Sequence, residues 1–203
     1  MKNILKASIA ALLLTTTISS ASAAVVQLGS ISRTYGSSAS TPASMPAGSC
    51  DTLNTNSVTV KEGSNCQRFY DIFDFSSLNY ESLDRLELTL SFGATNTLAE
   101  LWRVRFADSA THGSNTKQTM DRKTGPVSQT FTLRPSQADV FSQIAANKQL
   151  FLWFSEEGLG THNFTLYSAK LDVYGTAVPE PASMALFGIA LGGLGLVRRR
   201  KPH

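Results

Sequence analysis

Residues 85–92 alternate without a break. Leu86, Leu88, Leu90 and Phe92 share one parity, and Glu87, Thr89 and Ser91 share the other. A period of two turns one face toward a core and the other toward water, which is the pattern of a half-buried strand. Weaker versions recur along the chain. Residues 57–61 are short and β-branched. In 68–75 the residues Phe69, Phe73 and Phe75 share a parity, and in 101–106 Trp102, Val104 and Phe106 oppose Arg103 and Arg105. Residues 127–133 carry Val127, Phe131 and Leu133 on one parity, with Gln129 out of pattern. The apolar run 150–154 predicts a central strand covered on both faces. Segment 164–174 changes phase: Phe164 and Leu166 fall on one parity, Ala169, Leu171 and Val173 on the other. A bulge near Tyr167 and Ser168 would restore the inward face.

One stretch competes with this pattern. Residues 135–147 place Ala138, Phe141, Ile144 and Ala145 at helical spacing, with Ser136 as the N-cap candidate. Residues 30–49, rich in Ser, Ala, Gly, Thr and Pro, read as irregular. Residues 107–124 are polar and aperiodic, and read as the longest loop. Many short strands with little helix predict an all-β fold, a β-sandwich of jelly-roll or immunoglobulin-like type. Helices do not alternate with strands, which argues against a parallel β/α fold.

The formal charge of +3 misleads. Lys2 and Lys6 begin the chain, and Arg198, Arg199, Arg200 and Lys201 end it. With those six and Glu180 set aside, 12 basic and 14 acidic residues remain, so the middle carries about −2. A nucleic-acid partner therefore loses its support.

Both ends read as addresses. Lys2 and Lys6 precede an apolar stretch, residues 7–14, and small residues follow at Ala21 and Ala23. This is the layout of a secretory signal peptide, residues 1–23, cleaved after Ala23. The body is then 24–177, long enough for a two-sheet core, and the tail is 178–203. In the tail, Pro179, Glu180 and Pro181 precede sixteen uncharged residues, 182–197, and the four terminal cations. Two prolines around a glutamate fit neither a helix interior nor a central strand. A helix over 182–197 would be about 24 Å long at 1.5 Å per residue, slightly short of a hydrocarbon core of roughly 30 Å. Thinning of the bilayer or snorkelling of the arginines would close that gap. The cation cluster would stay on the cytoplasmic side, leaving the body beyond the membrane.

These three parts in order resemble the PEP-CTERM sorting signal of Gram-negative bacteria. The resemblance spans about 25 residues, 178–201, and leaves 24–177 without a recognised family. It implies an exosortase, a membrane cysteine transpeptidase, as partner, with cleavage near Pro179, Glu180 and Pro181. It also implies transient residence in the inner membrane before delivery to the cell surface or extracellular matrix.

Other constellations carry less. Cys50 and Cys66 would meet an oxidising compartment after export and are expected to form a disulfide. His112 and His162 read as solvated histidines, with no Gly-x-Ser-x-Gly elbow to suggest a hydrolase. Asp71 and Asp74 differ in parity and tend to opposite faces, while Glu156 and Glu157 sit at a strand end. Neither pair builds the facing carboxyls of a glycosidase. Trp102 and Trp153 read as core, and Tyr35 and Tyr80 as the better exposed aromatics. No cofactor, metal site or catalytic residue is assigned. The expectation is a non-enzymatic exported protein, structural or exopolysaccharide-binding. The alternatives are a secreted carbohydrate-active enzyme on the same scaffold and an unprocessed membrane-tethered adhesin.

Overall fold

Ten strands and one short helix occupy the body in a computed structural model, which describes residues 24–45, 50–63, 65–95, 99–136 and 139–178. The expected signal peptide with Ala21 and Ala23, the motif Pro179, Glu180 and Pro181, the apolar run and the cluster Arg198, Arg199, Arg200 and Lys201 lie outside the described residues. Among the described residues, no helix is long and apolar enough to cross a membrane.

The strands are β1 (Val25–Thr34), β2 (Thr52–Leu53), β3 (Val58–Glu62), β4 (Tyr70–Asp74), β5 (Tyr80–Gly93), β6 (Trp102–Ala107), β7 (Gly113–Thr119), β8 (Val127–Leu133), β9 (Gln149–Glu156) and β10 (His162–Ala177), with α1 (Phe141–Asn147) before β9. They build two antiparallel sheets. One has six strands in the order β2-β3-β10-β5-β8, with β1 also on β10; the other is β4-β9-β6-β7. The pairing is nested: β6 pairs β7, β5 pairs β8, β4 pairs β9 and β3 pairs β10. The chain is thus one long hairpin, rolled so that β10 also meets β5 and β9 also meets β6.

The alternating residues supply the core. Leu86, Leu88, Leu90 and Phe92 are fully buried, as are Val104, Phe106, Leu171 and Val173. Phe164, from the six-stranded sheet, meets Trp102 at 4.7 Å and Phe154 at 4.9 Å between ring centroids, both edge-to-face and both from the other sheet. Such pairs add roughly 0.5–1.5 kcal/mol beyond their buried area. They hold the two inner faces together in a sandwich arrangement. The phase change in β10 is a bulge: its register against β5 shifts between Leu166 and Ser168, so residues on both sides of it face inward.

Some expectations need correction. Residues 30–34 belong to β1, whose pairing with β10 runs from Val25↔Thr176 to Thr34↔Ser168. Its side chains are mostly exposed, so backbone hydrogen bonds place it and no apolar alternation announces it. Residues 113–119 form β7, an edge strand paired with β6 alone, and no apolar alternation announces it either. The helix is shorter than 135–147 and begins at Phe141; its N-cap is Val140, without a side-chain cap, and not Ser136. Burial of Phe141 and Ile144 holds that helix in place of a cap. The disulfide Cys50–Cys66 is formed, with Cα atoms 5.2 Å apart.

Candidate functional site

The outer face of the four-stranded sheet gathers the chemistry. β9 sends Leu150, Leu152 and Phe154 into the core, so Phe151, Trp153 and Ser155 face outward. The register sets Tyr70, Trp153, Arg105 and Lys117 in one row across β4, β9, β6 and β7, with Ser155, Arg103 and Thr119 in the next. Directly opposed residues share a face, so the row is continuous.

Trp153 is only 2% exposed although it lies outside the shared core. Its cover is cationic: the Arg68 guanidinium lies 4.7 Å from the ring centroid and that of Arg105 5.9 Å. The ring reaches to Gly113, where a Cβ would come within 2.6 Å of it, so β7 must carry glycine there. Tyr70 and Phe151 continue the aromatic surface, with centroids 5.9 Å apart. Trp153 Nε1 and Ser155 Oγ are buried without a hydrogen-bond partner among the described residues. Leaving a buried polar group unpaired costs about 1–3 kcal/mol, so both atoms keep unmet hydrogen-bonding capacity but, being buried, offer none to a group on the outer face.

Charges ring this aromatic centre. Glu157 takes Arg103 at 3.2 Å and also Lys117, whose hydrogen bond, more than any other influence, holds the carboxyl below the ordinary range. Burial pushes the Glu62 carboxyl up, against the pull of the Glu156 backbone N–H, Arg68 and Arg105. Glu156 accepts from the Leu101 and Gly158 backbone N–H groups, tying the ends of two loops. On this sheet face the partly exposed Tyr70 and Phe151 rings offer stacking, and the guanidiniums seated on the covered indole offer forked hydrogen bonding.

The other sequence candidates are dispersed. Asp71 and Asp74 do face opposite ways: Asp71 is 2% exposed, whereas Asp74 is exposed and bonds Ser76. Tyr35 corrects the expectation of an exposed ring, because it is 1% exposed and donates to Asp71 Oδ2 at 2.9 Å. Arg33 Nε lies 3.3 Å from the same oxygen, and Arg33 Nη2 donates to the Ile72 carbonyl. Burial, ahead of the Asp71 charge, raises the Tyr35 hydroxyl pKa. Burial also raises that of Asp71, against the pull of Arg33. This cluster fastens the segment after β1 to β4. Tyr80 is likewise half-buried, opening β5 and donating to the Ala145 carbonyl. Trp102 is a core residue as expected, and its indole N–H donates to Glu100. The His112 ring meets Asp108 at 2.9 Å, and the His162 ring meets the Leu159 carbonyl at 2.8 Å.

Among the site residues Trp153 carried a sequence signal, but the apolar run 150–154 concealed which way it faces. Arg68 precedes its strand and has no pattern of its own. The parity of Arg103 and Arg105 in β6 was the one available pointer to a cationic outer face.

Immediately beyond this body, residues 177–201 match the PEP-CTERM protein-sorting motif. The chain ends in a PEP-CTERM sorting signal. The match begins at Ala177, the last residue of β10, and takes in Pro179, Glu180, Pro181 and the cluster Arg198, Arg199, Arg200 and Lys201. A PEP-CTERM signal implies export, passage anchored in the membrane, and cleavage by an exosortase. No curated protein matches the chain. Among solved structures, the chain is similar to the coat protein of Tobacco streak virus at 13% identity and a TM-score of 0.25, over 64% of this chain and 94% of that one.

Proposed function

We propose that this is a surface or extracellular-matrix protein of a Gram-negative bacterium whose body binds exopolysaccharide through the outer face of the β4-β9-β6-β7 sheet. The observation that carries the reading is the Arg68–Trp153–Arg105 stack, flanked by Tyr70 and Phe151. Trp153 is covered, so it is the partly exposed rings of Tyr70 and Phe151 that would pack against the apolar faces of sugars. The guanidiniums that Trp153 positions would take hydroxyl and carboxylate oxygens in forked pairs. The dispersed carboxylates favour binding over glycoside hydrolysis: Asp71 is locked to Tyr35 and Arg33, and Glu157 to Arg103 and Lys117. The nested pairing favours the jelly-roll form of sandwich, a rolled hairpin with strands exchanged between sheets, over the immunoglobulin-like form.

The test uses the exported protein and the host's own exopolysaccharide. Replacing Arg68→Ala together with Arg105→Ala is expected to weaken binding about tenfold, or 1.4 kcal/mol. Unchanged affinity in the double variant, with the fold intact by circular dichroism, overturns the assignment of the face. The sorting reading has its own check. In a strain lacking the exosortase, the uncut chain should accumulate in the inner membrane, and equal processing in both strains overturns it.

A further inference from the structure

The first and last strands of the body begin and end side by side. Val25 opens β1 and pairs with Thr176, and Ala177 closes β10 and pairs with Tyr80. Ala24 alone separates Val25 from the expected signal cleavage point, and four residues, 178–181, separate β10 from the uncharged run at 182. Four residues span at most about 14 Å even when fully extended. The body therefore has no linker long enough to hold it away from whatever surface receives the run 182–197.

The apolar exposure agrees. Of the four large apolar side chains exposed among the described residues, three lie at this end: Val25 at 47%, Val26 at 44% and Val178 at 55%. The fourth, Leu159, precedes the start of β10. Sixteen residues of strand put it about 50 Å away at roughly 3.3 Å per residue.

We propose that the end of the sandwich bearing Val25, Val26 and Val178 is a membrane-facing surface, which lies against the lipid head groups while the tail is uncut and leaves the 157–161 loop pointing outward. The proposal rests on the reading of the tail as a membrane-held sorting signal and adds the orientation of the body. The partner is the lipid surface itself. Both address segments then join the body at the same end, so neither has to run the length of the sandwich to reach the bilayer.

The experiment uses the full chain in vesicles of phosphatidylethanolamine and phosphatidylglycerol that contain a lipid spin-labelled at its head group. Single cysteines are introduced as Val26→Cys, Val178→Cys and Leu159→Cys and labelled with a small fluorophore. The native pair Cys50–Cys66 is disulfide-bonded and takes no label without reductant. All three positions are exposed, and the agreement of Val26→Cys with Val178→Cys guards against a local folding defect in either. Quenching several-fold stronger at 26 and 178 than at 159 is expected. Equal or reversed quenching in a protein that floats with the vesicles overturns the orientation alone. A chain that fails to float overturns the sorting reading together with it.

Discussion

Burial and pairing move four carboxyl groups in opposite directions. Glu62 and Asp71 are pushed above the ordinary carboxylate range by desolvation. Asp74 is held below it by hydrogen bonds from Ser76, and Glu157 by Lys117. A carboxyl with a raised folded pKa contributes stability that is present in full below its unfolded pKa and lost as pH rises through the folded value; one with a lowered pKa contributes stability above its unfolded pKa that is lost as pH falls through the folded value. Thermal stability should therefore rise as pH falls through the raised values of Glu62 and Asp71, and decline as pH falls further through the lowered values of Asp74 and Glu157. Asp71→Asn keeps the shape and should flatten the high-pH side of that curve. Melting temperatures across the range check this, and a wild-type curve that rises steadily to neutral pH contradicts it. Parity revealed that Asp71 and Asp74 diverge. It could not reveal that Tyr35 buries its ring to reach Asp71, because that contact spans 36 residues and follows from how the segment after β1 lies on β4.

Elements were legible where side chains position them and hidden where the backbone does. β5, β6, β8 and the bulge in β10 follow from alternation, since a shift of one residue would turn every apolar group to water. β1 is mostly exposed and β7 is a polar run without alternation, so nothing in their residues distinguishes them from loops. The disulfide is an element-scale tie of the same kind: Cys50 and Cys66, 16 apart in sequence, enclose β2 and β3. β2 has only two residues, and β3 meets β10 over five positions. Replacing both cysteines by serine should cost about 3 kcal/mol on the loop-entropy account. Urea unfolding measures it, and an unchanged midpoint would mean that the loop is already ordered in the unfolded chain.

At the scale of the whole molecule, distant pairing dominates. β3 meets β10 across about a hundred residues, and β4 meets β9 nearly as far apart. Closing such loops before any contact rewards them is slow, so refolding with the disulfide intact should take milliseconds to seconds. Stopped-flow tryptophan fluorescence reads it directly, and a microsecond phase carrying the full amplitude would contradict the nested order. The sandwich class was legible from the count and spacing of strands, but the order of strands was not. A period of two states which face is buried and leaves the neighbour unnamed. One strand then governs the closing of the larger sheet. β10 is the hub to which β1, β3 and β5 all attach, and it is the last piece of the body to leave the ribosome. The six-stranded sheet therefore cannot close until residues 162–177 have been made, and whatever delays β10 leaves β1, β3 and β5 without their shared neighbour.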